Sequence, residues 1–184
     1  MAEYQSQKFK SKSGAEVVVR SAIKQDAAEV LELSRSVIGE EIYQLTSGAE
    51  FKMTIEAEEK WIESHLSNPN HIILVAEMKS KIVGMLDFSN GHRQRIAHTG
   101  EFGMSVEKSV RDQGVGSLLL QVLINWAAQN RTIEKIGLNV HSNNERAIAL
   151  YKKMGFEVEG IRRRDLKYQD DKYVDTVVMG RFVK

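Results

Sequence analysis

No cysteine occurs in the 184 residues, which excludes disulfides, thiolate metal centres and a cysteine nucleophile. The one proline, Pro69, sits in Asn68-Pro69-Asn70, the strongest breaker in the chain. No apolar run reaches the roughly 18 residues a membrane span needs, and the start Met1-Ala2-Glu3-Tyr4-Gln5-Ser6 lacks an apolar signal core. A cytoplasmic protein without membrane association is therefore expected. Charge of one sign is also missing: the net charge of +1 removes the electrostatic footprint of a general nucleic-acid binder, so no nucleic-acid partner is expected. Repeats and low-complexity stretches are absent too. What is present is ordinary globular material, 42% hydrophobic and 28% charged, enough for a single domain with a sizeable core. The domain is placed at 15–184, preceded by a polar arm or edge strand at 1–14 in which Lys8, Lys10 and Lys12 alternate with Phe9, Ser11 and Ser13.

The stretch from Met104 to Gln121 carries the most information. It reads as a strand, a glycine turn (Arg111-Asp112-Gln113-Gly114-Val115-Gly116-Ser117) and a helix. Gly114 and Gly116 let backbone N–H groups come close to a ligand, and the helix then opens with unsatisfied donors and its positive dipole end at the same place. That combination suits phosphate, and the forked Arg111 guanidinium adds a fixed cation. A hydrolase-type phosphate loop is excluded because Gly116 is followed by Ser117 and Leu118 rather than Lys and Ser or Thr. A dinucleotide fingerprint lacks both the small residue at Leu119 and the acidic residue closing the next strand, which ends Leu138-Asn139-Val140. A glycine turn with no ligand remains open on this segment alone.

The rest of the pattern alternates helices and strands. Residues 16–20 form a strand and 24–38 a helix with Ala27, Val30, Leu31 and Ser34 on one face, ended by Gly39. An irregular stretch carrying Glu40, Glu41, Tyr43 and Glu50 precedes a helix capped by Thr54 with Ile55, Trp61, Ile62 and Leu66. Two β-rich runs at 71–78 and 82–88 make a hairpin, with His65 and His71 read as surface groups. A polar loop at 89–95 holds His92, Arg93 and Arg95, which either face water or pair with a substrate carboxylate. The strand at 96–106 leads into the turn, and the helix at 116–128 shows Leu119, Leu120, Leu123, Ile124 and Ala127 at core spacing. After a strand at 135–140, Ser142-x-x-Glu145 reads as a capping box for a helix to Met154, with Asn144 in its first turn. Gly155 stops it, and final strands at 156–165 and 173–182 are joined through Asp170-Asp171.

Arg111-x-x-Gly114-x-Gly116 after an apolar strand resembles the acetyl-CoA motif of the GCN5-related N-acetyltransferases, and Asn144-x-x-Ala147-x-x-Leu150-Tyr151-x-x-x-Gly155-Phe156 resembles that superfamily's following motif at the expected distance. The similarity runs from about Val17 to Arg181. From Glu101 onward it is greatest to enzymes that acetylate ribosomal-protein N-termini or free L-amino acids. The resemblance implies an α/β fold of the α+β type: a mixed, mostly antiparallel sheet of six to seven strands, splayed at its centre, with about four helices. It implies acetyl-CoA as co-substrate, held by Met104, Ser105, Val106, Arg111, Asp112, Gln113, Gly114, Val115, Gly116, Ser117, Asn144, Ala147 and Tyr151. It implies an acceptor amine near Tyr43, a small-molecule or peptide amine as partner, and no metal; a homodimer is common in the family.

Acetyl transfer from a thioester needs a neutral amine, a stabilised oxyanion and a proton for the departing thiolate. Tyr151 is the candidate acid, since a phenol of pKa about 10 can serve a thiolate of pKa near 8.5. A main-chain N–H near Met104 or Ser105 would hold the oxyanion. Glu101 and His98 compete for the amine's proton. They differ by an odd number along one strand, so only one faces the site; Glu101, acting through water, is favoured. The expected activity is transfer of acetyl by direct attack in a ternary complex to a free amino acid or a protein N-terminal amine. The alternatives are a polyamine or aminoglycoside-type acceptor, a non-catalytic acyl-CoA-binding module, and a structural protein without ligand.

Overall fold

The computed structural model describes residues 4–40, 43–168 and 171–184. Eight strands form one mixed sheet: β1 (Gln7–Lys10), β2 (Glu16–Ser21), β3 (Ile72–Met78), β4 (Lys81–Asn90), β5 (Thr99–Val106), β6 (Lys135–His141), β7 (Glu157–Lys167) and β8 (Tyr173–Phe182), in the spatial order β1-β2-β3-β4-β5-β6-β8-β7. The count exceeds the expected six to seven because the polar arm pairs as an edge strand, Gln7 opposite Val19 through Lys10 opposite Glu16. Its lysines, Lys8 and Lys10, alternate with Gln7 and the half-buried Phe9, which suits an edge, where one face and one backbone flank meet water.

Helices α1 (Ala27–Ile38) and α2 (Ile55–Ser67) cover one face of the sheet, and α3 (Val115–Gln129) and α4 (Glu145–Lys153) the other. The period-2 rule, switched once by a bulge, explains how the strands serve both layers. In β4, Leu86 and Phe88 pack under α3 with Leu119, Leu120 and Leu123; the register shift of the β3–β4 pair between Ala76 and Glu77 then turns Ile82 to the other face, where it packs with Ile73, Val75, Val30, Leu33 and Ile62 under α1 and α2. Gly84 admits α3 closely: a Cβ there would lie 3.1 Å from Val115 Cγ1 and 3.2 Å from Leu119 Cδ1. Burying these side chains is the main stabilising term, on the order of 1.5–3 kcal/mol for each large aliphatic group.

Local signals mostly act where the sequence puts them. Thr54 Oγ1 accepts from Ala57 N–H at 3.2 Å and opens α2. Lys79 and Ser80 both take positive φ, 52° and 60°, the two-residue turn whose twist matches a hairpin. Two expectations are corrected. Asn144 rather than Ser142 caps α4, its Oδ1 accepting from Ala147 N–H at 3.2 Å. His65 is buried rather than at the surface, 6% exposed, because its ring turns under α2 to meet Trp61 O at 3.0 Å and Ser89 Oγ at 3.0 Å. The expected Asp170-Asp171 turn lies partly outside the described residues. No helix among the described residues is long and apolar enough to cross a membrane.

Candidate active site

One pairing organises the site. β5 and β6 run parallel and pair only over Thr99–Lys135, Gly100–Ile136 and Glu101–Gly137. Beyond that, β5 stays on β4 as far as Val106 and β6 stays on β8 as far as His141. The two strands separate and leave a cleft of about 910 Å³ running through the sheet. Met104, Ser105 and Val106 line one wall, and Leu138, Asn139 and Val140 the other.

The glycine turn closes the cleft on one side. Asp112 and Gly114 take positive φ, 66° and 93°, which turns the chain sharply into α3. No side chain caps α3 and no acidic residue occupies its first turn, so its opening N–H groups and dipole face the cleft at Val115, Gly116 and Ser117. A Cβ at Gly114 would meet only Lys12 Cγ, at 3.9 Å. The glycine is there for its φ and leaves the backbone uncovered. Gly116 serves packing, since a Cβ would come within 3.3 Å of Met104 Cε and 3.4 Å of Leu150 Cδ2. These features fit a diphosphate.

Arg111 and Asp112 both line the cleft, as do Asn144 and Ala147 of α4. The Arg111 guanidinium is engaged: it donates to both carboxylate oxygens of Glu40 at 2.6 Å, and its Nε to Val106 O at 3.1 Å. Gln113 is the one proposed cofactor residue outside the cleft lining. Its amide oxygen accepts from Ser13 Oγ at 2.9 Å and its carbonyl from Lys12 N–H at 2.9 Å, which ties the β1–β2 turn to the glycine turn. That tie brings Lys12, absent from the sequence-based candidates, to the cleft edge.

Tyr151 faces the cleft from α4, 9% exposed, with its ring edge-on to Phe102 at 5.7 Å and to Phe156 at 6.1 Å. Its hydroxyl makes no hydrogen bond among the described residues. Burial pushes the phenol up to about 12, so the group is a protonated donor throughout the working range of pH.

Glu101 also lies in the cleft, on the face of the sheet under α1 and α2, and accepts from Asn139 Nδ2 at 2.8 Å. His98 is exposed before the closed end of the β5–β6 pair, its carbonyl bonded to Glu134 and Lys135 N–H, and does not line the cleft. Of the two, only Glu101 lines the cleft, because β5 begins at Thr99 and leaves His98 outside the strand. Nor do His92, Arg93 and Arg95 reach the cleft. Tyr43 does, its ring 6.1 Å from that of His141. Sequence reasoning missed Asp87, which lines the cleft from β4; the signal was a lone carboxylate inside the apolar run Val83-Gly84-Met85-Leu86-Asp87-Phe88.

A sheet opened between two parallel strands, an uncapped helix start aimed into the opening, and a buried phenol across from a carboxylate define an acyl-transfer site built for a diphosphate-bearing thioester. The profile of the Acetyltransferase (GNAT) family matches residues 39–156, and the chain belongs to that family. It is 28% identical over 167 residues to the L-amino acid N-acetyltransferase AaaT of Escherichia coli (strain K12), spanning 91% of this chain and 98% of that one. The acetyltransferase of GNAT family from Streptococcus pneumoniae superposes with a TM-score of 0.87 at 30% identity over 90% of this chain and 99% of its own. The yncA protein of Salmonella typhimurium, solved with acetyl-CoA, shares the fold with a TM-score of 0.81 at 19% identity over 91% and 94% of the two chains. Accordingly the chain is an acetyl-CoA-dependent N-acetyltransferase, acting on a small-molecule or peptide amine.

Proposed function

We propose that the acceptor is the α-amino group of a free amino acid or of a protein N-terminus, attacked directly in a ternary complex. Acetyl-CoA supplies a thioester whose carbonyl carbon is open to an amine and whose sulfur leaves as a thiolate. The observation that carries the reading is the placement of acid and carboxylate on opposite faces of the opened sheet. Tyr151 stands on the α4 side, and Glu101 on the α1/α2 side. An amine entering from the second face meets a carboxylate first, and a leaving group on the first face meets a proton donor.

In this reading Glu101, steadied by Asn139, attracts and orients the ammonium ahead of its deprotonation. An α-amine, pKa about 8, loses that proton far more readily than a lysine amine of about 10.4. The main chain at Met104 and Ser105 holds the oxyanion. The turn at Gly114 to Ser117, with Arg111, Asp112 and Asn144 around it, holds the diphosphate, Gln113 fastens that turn to the edge strand from outside the cleft, and Ala147 keeps the α4 wall low enough for the pantetheine to pass. Tyr151 hands its proton to the sulfur. The named activity of the Escherichia coli relative, which matches over nearly its whole length, supports an amino-acid acceptor.

The test is thiol release from acetyl-CoA with a panel of free amino acids, N-terminal peptides, polyamines and aminoglycosides. Turnover confined to α-amines is expected. Preference for polyamines or aminoglycosides would replace the acceptor assignment, and calorimetric CoA binding with no turnover on any amine would leave a binding module.

A further inference from the structure

Asp87 is the cleft-lining carboxylate that the reading above leaves without a role. Register places it. Asp87 lies opposite Gly103 and Ser89 opposite Glu101, so Asp87 and Glu101 are diagonal neighbours on one face of the β4–β5 pair, roughly 7–8 Å apart by sheet geometry. Gly103 makes the room: a Cβ there would lie 2.9 Å from Asp87 Oδ1. The carboxylate therefore extends across the bare backbone of β5 toward the opening between β5 and β6. Any other residue at 103 would fill that approach.

The surroundings of Asp87 are dry but charged. From α2 come Glu58, 4% exposed, and His65, 6% exposed. The Glu58 carboxyl makes no hydrogen bond among the described residues. His71 stacks beside His65 at 5.2 Å, and from β3 the residue opposite is Ile73, with no charge. From β5 come Glu101 and the side chain of Ser105. Burial pushes Asp87 above the usual carboxylate range, partly offset by the His65 imidazole and its own main-chain N–H. Burial, then the charge of Asp87, push Glu58 up as well. A half-buried carboxylate on the surface of a working cleft, with a buried, uncompensated neighbour behind it, is costly and needs a use.

We infer that Asp87 is the catalytic residue that takes the proton from the acceptor amine, with Glu101 holding the ammonium in place. This rests on the acetyl-transfer reading and names the proton acceptor within it. The N–H bond of the ammonium breaks, its electrons become the nitrogen lone pair, and the proton goes to an Asp87 oxygen. The lone pair forms the C–N bond, and the C–S bond breaks onto sulfur, which takes the Tyr151 proton. Nitrogen's second proton returns through water to the phenolate, and Asp87 releases its own to solvent, so the nitrogen loses two protons and the sulfur gains one. A carboxylate shifted toward neutrality is a stronger base than an exposed one, which suits this task.

The test uses the intact enzyme and the fastest acceptor of the amino-acid panel, with kcat followed against pH. Activity requires ionised Asp87, so the wild type should show an acid limb displaced above the ordinary carboxylate range. Asp87→Asn should lose on the order of 10²-fold or more in kcat and lose that limb, with CoA affinity unchanged by calorimetry. Glu101→Gln should instead raise the acceptor KM and keep the limb. Should Asp87→Asn not fold, the wild-type limb still decides, because its absence above the carboxylate range would overturn the assignment. So would an Asp87→Asn enzyme with near-wild-type kcat. Failure of the wild type to acetylate any amine would sink the parent reading instead, a different result from a working enzyme indifferent to residue 87.

Discussion

Replacing Tyr151 by Phe removes one oxygen and separates chemistry from folding. The hydroxyl has no hydrogen-bond partner among the described residues, so its loss orphans no buried group. The ring contacts with Phe102 and Phe156 persist. Stability should move by less than about 1 kcal/mol, or roughly 2–4 °C in Tm for a chain of this length. Turnover is another matter. A positioned acid contributes about 10²–10⁴-fold, which at about 1.36 kcal/mol per decade is roughly 3–5 kcal/mol. Burial raises the phenol to about 12, whereas a free thiol titrates near about 8.5. Full transfer in a water-like setting would therefore be uphill by several powers of ten, so the same dry cleft must raise the thiol, or the phenol must act largely by hydrogen bonding to sulfur. Either argues for the lower end, about 10²-fold. Thiol release measures kcat, and calorimetry measures CoA affinity, expected within about threefold because the hydroxyl is placed at the sulfur rather than the phosphates. Turnover within threefold of wild type, or a kcat loss matched by an equal loss of CoA affinity, would refute the acid role.

Gly114→Ala forces a φ of 93° on a side chain and should cost about 1–2 kcal/mol of stability in thermal melts, with CoA affinity falling on the order of tenfold; unchanged affinity would separate the turn from the diphosphate. Arg111 is shared between Glu40 and the expected phosphate, so Arg111→Ala should weaken CoA while Glu40→Gln leaves it as tight or tighter; calorimetric weakening by both would mean the ion pair itself builds the site. Asn144→Ala removes the α4 cap and should lower stability by about 1 kcal/mol in denaturant melts. The Glu58 carboxyl titrates higher folded than unfolded, so the folded state binds its proton more tightly and stability falls as pH rises through that window. Glu58→Gln should accordingly stabilise the protein at pH 8 more than at pH 5; equal melting differences at the two pH values would contradict this.

The parts of the site readable from sequence were those specified locally. A glycine that needs positive φ, a helix with core spacing and the phenol beside Leu150 are all written within a few residues of one another. The parts that escaped depend on distance along the chain. Arg111 meets Glu40 across 71 residues, and His65 meets Ser89 across 24. Asp87 becomes legible only when β5 places Gly103 opposite it. Ser142 was the expected cap of α4, but Asn144 takes that place because β6 runs on to His141 and delays the helix. Lys12 reaches the cleft only because the edge strand is stitched to the glycine turn.

The central claim is that the opened sheet holds coenzyme A with its sulfur at the Tyr151 hydroxyl. A crystal structure of the complex with CoA tests it directly. The account predicts the diphosphate against the N–H groups of Val115 to Ser117 and the sulfur within hydrogen-bond distance of Tyr151 Oη. A diphosphate bound elsewhere, or a sulfur remote from that oxygen, would contradict it.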